Sequence, residues 1–435
     1  MLFRSNTLRA RGACTLIVTP QSSMATETVA ELKLVSQAVG CAVEYSVDEK
    51  TLVQPKTPTI RVATSTHLLR LLSGRNPFTP IPWLDLVICE NLEQLDATYE
   101  LGISLLRFAT QSAPTRFVGV SQSINDPVDL ADWISVNPIA ICSFRPRDRD
   151  QSLSFSAQTF TIPHSASLFK AMAKPAHSAI RSVPLEESAI IFVPSRGQSR
   201  TIALELITQC SLETETARGY LPDDAADEFL QSYCARLQDT TLIDFISKGV
   251  GFFHGGIKRG DRNIMLELYA EGILRVLIVP RESCWSLPLR AAVVVVMGTQ
   301  YTHVEPGDNS RQIRDYSITE LVRMQSRAVR HKGTGHFHLF CQAEALDTLM
   351  RFLNDGVPLE SQLQESLVLE SWYKTQRVVA PDIASKQQLT DILSFTFFSR
   401  RIASNPSYYG FSTTKRDESL SRIVDKLLHD DGGTP

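Results

Sequence analysis

The apolar run Leu86-Val87-Ile88-Cys89 ends abruptly in Glu90-Asn91-Leu92-Glu93. A buried strand that runs into acids is where many nucleotide-hydrolysing proteins hold magnesium and direct the attacking water. The usual spelling there is Asp-Glu, so Glu90 keeps a carboxylate on a longer stem and Asn91 replaces the second acid. Asn91 is neutral and makes a poor general base. The plainer reading is that Glu90 and Glu93 only end a strand on its wet side. A second group is Arg323-Met324-Gln325-Ser326-Arg327-Ala328-Val329-Arg330-His331. Arg327 and Arg330 are guanidiniums that could stabilise phosphate charge; a basic, solvated helix face is the competing reading. A third set follows other apolar runs: Thr19-Pro20, Thr64-Ser65, Ser121-Gln122-Ser123 and Ser195-Arg196. Hydroxyl and backbone N–H donors of this kind contact nucleic-acid phosphates, although a Thr-Pro after a strand is by itself an ordinary turn.

His331, His336 and His338 are close enough in sequence to suggest a metal. On a strand His336 and His338 share a face, but the nearest thiol, Cys341, falls on the opposite one, and zinc needs three or four converging ligands. No metal is expected.

These groups need elements to carry them. Continuously apolar runs at 14–20, 59–65, 84–89 and 116–122 read as strands buried on both faces of a parallel sheet. Between them lie helical patterns. In "STHLLRLLSG", Ser65 or Thr66 caps, Leu68, Leu69, Leu71 and Leu72 form the stripe, and Gly74 ends it. Helices are also expected at 98–111 and 128–135. The charged, proline-containing "RPRDRDQ" at 145–151 reads as a linker. Alternation resumes with strands at 189–196, 275–280, 291–298 and 336–341, a helix after Arg196, and a helical, acidic stretch at 211–248. From about residue 345 the strands mostly stop. "SKQQLTDILSFTFFSRRI" reads as one helix, with a Ser385–Gln388 capping box and a stripe of Leu389, Ile392, Leu393 and Phe397, stopped at Asn405-Pro406.

Composition sets the limits. The chain has 435 residues, 43% hydrophobic and 21% charged, with a net charge of −3. That suits two or three soluble domains and excludes a wholly basic nucleic-acid binder. No apolar run approaches the roughly 20 residues of a membrane span, so no membrane partner is expected. The eight cysteines form no C-x-x-C pair and mostly sit in apolar runs, which points to reduced core thiols. Arg4, Arg9 and Arg11 without an acid hint at a targeting peptide, but the strand from Cys14 leaves little to cleave.

Taken in order, the segments resemble the Ski-two-like DExH RNA helicases, most of all the second helicase cassette of their two-cassette spliceosomal members. The matching stretches are "MAKPAHSAI" (172–180), "FVPSRGQSRTIALELI" (192–207), "GVGFFHGGIKRGDR" (249–262), "SCWSLPLRAAVVVVMGTQYT" (283–302) and "FFSRRIASNPSYYG" (397–410). A two-cassette relative in ribosome quality control is similar too; "FVPSR" and "SCW" favour the spliceosomal branch. The resemblance implies an α/β fold of two tandem RecA-like lobes plus a mostly helical winged-helix module. The first lobe spans 1–145, incomplete at its N-terminus and without the P-loop, and the second spans 146–345. The module spans 346–412, and 413–435 starts a further helical region or tail.

The resemblance also assigns roles and exposes departures. Glu90, Asn91, Arg327 and Arg330 take degenerate catalytic positions. Thr19, Pro20, Thr64, Ser195 and Arg196 take nucleic-acid positions, and Ser121 and Ser123 the coupling motif. The family's arginine motif is Q-x-x-G-R-A-G-R-P, of which the two arginines remain. Ser286 and Pro288 replace a Gly and an Asn that contact RNA. No G-x-x-x-x-G-K-[ST] occurs in these residues, and the resemblance places that loop just before residue 1. The expectation is a pseudo-helicase that acts as a regulatory scaffold in pre-mRNA splicing, in the nucleus. It would dock on spliceosomal proteins or an active helicase cassette and need no cofactor. One alternative is an ATP-dependent RNA helicase, using ATP and magnesium, whose P-loop is missing from the sequence; another is a weak RNA-binding module without motor action.

Overall fold

A computed structural model describes residues 13–145, 148, 152–214, 218–222, 227–304, 310–330, 332–381, 385–412 and 415–429. The chain forms two compact units, Met1–Arg145 with Asp355–Pro435, and Pro146–Asn354. Both are mixed α/β with parallel main sheets. The arginines proposed as a targeting signal, most of the 145–151 stretch and His331 lie outside the described residues.

The first unit opens with β1 (Cys14–Thr19), α1 (Ser22–Val39), β2 (Ala42–Tyr45), β3 (Thr59–Thr64), α2 (Ser65–Ser73), β4 (Leu84–Cys89), α3 (Ala97–Ala109), β5 (Arg116–Gly119) and α4 (Val128–Trp133). The sheet order is β2-β3-β1-β4-β5, with every pair parallel. Every residue of β1 is buried, as its uninterrupted apolar run requires of a central strand. The cap of α2 is Thr64 rather than Ser65 or Thr66: its hydroxyl accepts from the His67 N–H at 3.2 Å.

The second unit runs through β6 (Leu153–Phe160), α5 (Ala166–Arg181), β7 (Ala189–Val193), α6 (Arg196–Thr214), α7 (Asp227–Cys234), α8 (Ile243–Ile246), β8 (Val250–Phe252), α9 (Arg259–Ala270) and β9 (Val276–Pro280). It continues with β10 (Val293–Met297), β11 (Gln300–Val304), β12 (Arg311–Asp315), α10 (Ile318–Ser326), β13 (Gly335–Gln342) and α11 (Leu346–Asp355). Six parallel strands take the order β6-β13-β10-β7-β9-β8. β11 and β12 pair separately as an antiparallel hairpin.

The chain then returns to the first unit with α12 (Val368–Val379), α13 (Lys386–Leu393), α14 (Phe397–Ser404) and α15 (Arg416–His429). Leu389, Ile392, Leu393, Phe397 and Phe398 share one core with Leu101, Leu105 and Trp133. This double covering explains why α3 is buried along nearly its whole length. The capping box of Ser385 and Gln388 forms as expected. The single expected helix is two, because Thr396 caps a new one by accepting from the Ser399 N–H at 3.1 Å.

A buried acid fixes that second start. Glu100 on α3 has no exposed surface, and its carboxylate accepts from the Phe398 N–H at 2.7 Å and the Ser361 hydroxyl at 2.6 Å. Burial pushes its carboxyl up to about 7, against the lowering by those two donors. With the folded-state pKa raised, the native chain holds the proton more tightly than the unfolded chain. Stability is therefore lost as pH rises from about 4.5 toward 7, by about 3 kcal/mol from this group. Glu100→Gln removes that component, so the difference in unfolding free energy between pH 5 and pH 8 shrinks in urea titrations; an unchanged difference refutes it.

Candidate functional site

In each parallel sheet the loops that follow the strands gather at one edge, where α/β proteins carry their chemistry. In the first unit that edge holds Thr19, Pro20, Thr64, Glu90, Asn91, Glu93, Ser121 and Ser123. The main-chain N–H of Glu90 donates to Val18 O at 2.9 Å, and Tyr99 Oη lies 2.8 Å from both Val18 O and Glu90 O, its single proton shared between them. The end of β4 is thereby held beside the end of β1.

Most of the polar side chains there are already partnered. Glu90 accepts from Thr28 Oγ1 at 2.9 Å. Burial raises its carboxyl pKa; the Thr28 bond opposes this, and Glu31 and Glu27 add to it. Asn91 lies in the left-handed region, at φ 54°, which Asn tolerates better than most residues. From there its Nδ2 donates to Glu93 Oε1 at 3.1 Å. The other Glu93 oxygen accepts from Ser121 Oγ at 3.2 Å and the Gln122 N–H at 3.1 Å. Glu93 is buried and joins the ends of β4 and β5. Thr19 Oγ1 donates to Gln21 O at 3.2 Å, and Thr64 is occupied as a helix cap. The segments 20–21, 90–96 and 120–127 contain no Lys or Arg. This edge therefore offers no side-chain cation to a triphosphate from those loops.

The second unit differs. Ser195 donates to Gln198 Oε1 at 3.1 Å, and Arg196 pairs with Glu282, which follows β9. Arg200 pairs with Asp239 at 3.2 Å and donates to Thr241 Oγ1 at 2.7 Å. His254 follows β8 and accepts on Nδ1 from the Gly256 N–H at 3.1 Å. Burial lowers its pKa, and Arg196, Arg200 and Arg262 lower it further against Glu282. Lys258 and Arg259 open α9 beside this group. Arg281 pairs with Glu320 and lies over the Tyr301 ring, 3.6 Å from its centroid. Of this set the sequence reading singled out only Ser195 and Arg196. The available signal was Arg281-Glu282 directly after a strand and the Gly255-Gly256 pair after another.

Arg327 and Arg330 are not with that set. α10 begins near the carboxyl end of β9, where Glu320 meets Arg281, and ends at the opposite edge of the sheet. There the Arg327 carbonyl accepts from the Ala291 N–H at 3.0 Å, just before β10. Arg330 holds Glu187, just before β7, through two nitrogens at 3.0 and 2.8 Å. His336 and His338 alternate on one face of β13, with Cys341 on the other. No three His, Cys, Asp or Glu side chains converge as metal ligands among the described residues. Six cysteines are buried, Cys234 is half-buried and Cys142 is exposed, so the last is no core thiol. No described helix is long and apolar enough to cross a membrane.

No protein-family model matches the chain. It is similar to curated proteins, however. It is 30% identical over 320 residues to the U5 small nuclear ribonucleoprotein 200 kDa helicase of Drosophila melanogaster, covering 72% of this chain and 14% of that protein. With the human protein of the same description it shares 30% identity over 367 residues, 83% of this chain and 16% of the relative. The pre-mRNA-splicing factor brr2 of Schizosaccharomyces pombe is 30% identical over 361 residues, 80% of this chain and 16% of that protein. The chain thus spans only 14% to 16% of the length of these relatives.

Proposed function

Because this chain is a homologue, over most of its length, of the Ski-two-like DExH RNA helicases, we propose that it is a degenerate helicase cassette serving pre-mRNA splicing as a regulatory and protein-interaction scaffold in the nucleus. Its two α/β units are read as tandem RecA-like lobes, and its C-terminal helices as the winged-helix module. One observation carries the reading. At the end of β4, Glu90, Asn91 and Glu93 are hydrogen-bonded to Thr28, Ser121, Gln122 and one another. No carboxylate stands in the second place to act as base.

Three measurements test it. ATP with magnesium leaves the melting temperature unchanged, whereas tight binding would raise it, and RNA stimulates no phosphate release. A turnover of about one per second overturns the reading. Added in excess to an active U5 200 kDa helicase, the chain changes its duplex-unwinding rate; an unchanged rate removes the scaffold role.

A second reading is supported by the basic groups around His254: weak RNA binding by the second unit. Affinity for single-stranded RNA then falls steeply with salt. Negligible binding at low salt removes this reading.

A further inference from the structure

Among the described residues β6 stands at the edge of the second unit's sheet and pairs only with β13, and its eight residues make it long for an edge. Proteins protect such edges with short strands, charged side chains, Pro or bulges, because unpaired N–H and C=O groups template another strand. The far edge of the same sheet is protected by brevity: β8 has three residues, all buried. The edges of the first sheet, β2 and β5, have four residues each. β6 has none of these protections. "LSFSAQTF" carries no charge, Pro or Gly, and no Asp, Glu, Lys or Arg occurs from Gln151 to Phe169. Ser154 and Ser156–Thr159 are exposed.

The strand is also firmly mounted. Its register with β13 is unbroken over its full length, and Phe155 and Phe160 pack on Phe337 and Phe340 with ring centroids 5.7 and 5.8 Å apart. Gly335 N–H donates to Ser152 O at 3.0 Å. In a parallel ladder that phase turns the backbone groups of Ser154, Ser156 and Gln158 toward β13 and those of Leu153, Phe155, Ala157 and Thr159 outward.

We infer that β6 pairs antiparallel with β6 of a second copy, joining two sheets across a two-fold axis. Charge decides the occupant: an uncharged strand meets its own copy without like-charge repulsion, and a two-fold contact must be self-complementary. The outward backbones pair when Leu153 faces Thr159 and Phe155 faces Ala157 of the other copy. Ser156 then lies on the axis opposite itself, at a Cα separation of about 4.5 Å in a non-hydrogen-bonded pair. This inference stands independently of the splicing reading.

Sedimentation of the full chain over a wide concentration range tests it. Wild type dimerises. Ser156→Lys sets two ammonium groups face to face on an exposed position and raises the dissociation constant by about tenfold or more. Ser156→Asp does the same, and an equimolar mixture of the two variants recovers the dimer. Either a monomeric wild type or a mixture that fails to dimerise overturns the proposal. Variants that dimerise as well as wild type overturn it too.

Discussion

Gly335→Ala is expected to unfold the second unit. A Cβ at Gly335 would lie 1.7 Å from the Ala328 carbonyl oxygen and 2.8 Å from its carbon, both backbone atoms. Neither side can retreat. Gly335 starts β13, which has a strand on each flank; its N–H bonds to Ser152 O at 3.0 Å, and the next N–H bonds to Ala292 O at 2.7 Å. Ala328 closes a turn through a 3.0 Å bond to Gln325 O and is itself fully buried. A clash between two fixed main-chain segments belongs to the rare substitutions that cost on the order of 4 kcal/mol or more. The control is Gly272→Ala in the same unit. There φ is +76° but no atom lies within 4 Å of the added carbon, so only the left-handed strain of about 1 kcal/mol applies. Urea unfolding should place Gly272→Ala close to wild type and leave Gly335→Ala unfolded or insoluble. Comparable midpoints for the two would show that the Ala328 turn yields.

Arg401→Ala is expected to release the C-terminal helices from the first unit. Arg401 holds Glu360 through Nε at 2.9 Å and Nη2 at 2.5 Å, and Asp129 on α4 through Nη1 at 2.5 Å. Glu360 also accepts from Tyr409 Oη at 2.7 Å and Asn405 Nδ2 at 2.9 Å. Burial pushes the Glu360 pKa up, but the donors, Arg401 foremost, outweigh it and leave the carboxyl below its usual range. The side chains are 11%, 19% and 20% exposed for Arg401, Glu360 and Asp129. Deleting this guanidinium leaves Glu360 and Asp129, both largely desolvated, without their shared cation, a change that costs about 3–5 kcal/mol. Arg401→Lys keeps the charge but loses the fork and should recover less than half. Melting temperature measures the cost, and protease cleavage between α12 and α15 locates it. If Arg401→Ala melts within a degree or two of wild type, the network contributes nothing to holding those helices.

How legible this structure was depended on solvation. Strands buried on both faces announced themselves as unbroken apolar runs, and β1, β3, β4, β7, β9, β10 and β13 lie where those runs were. β2, β6 and β8 were missed because an edge strand keeps polar residues, as "AVEY" and "LSFSAQTF" do, and "VGF" is too short for any period. The break between α13 and α14 was hidden for another reason. The apolar stripe runs on in phase from Leu389 to Phe397, and the groups that start α14 anew are Thr396 and a carboxylate 298 residues away. At the candidate site the residue types could be read in order along β4. What the second Glu93 oxygen binds could not, because Ser121 and Gln122 come from another strand end.

Glu100 and Phe398, like Arg107 and Phe395, are joined across nearly three hundred residues. A ribosome adds roughly 5–20 residues per second. The helix carrying Glu100 therefore emerges roughly 15–60 s before the segment that covers it. Meanwhile the intervening unit, continuous in the chain from Pro146 to Asn354, is complete and can collapse first. During translation, then, the portion made before that unit is the last to mature, and its greasy outer helix face is the natural target for a chaperone while it waits.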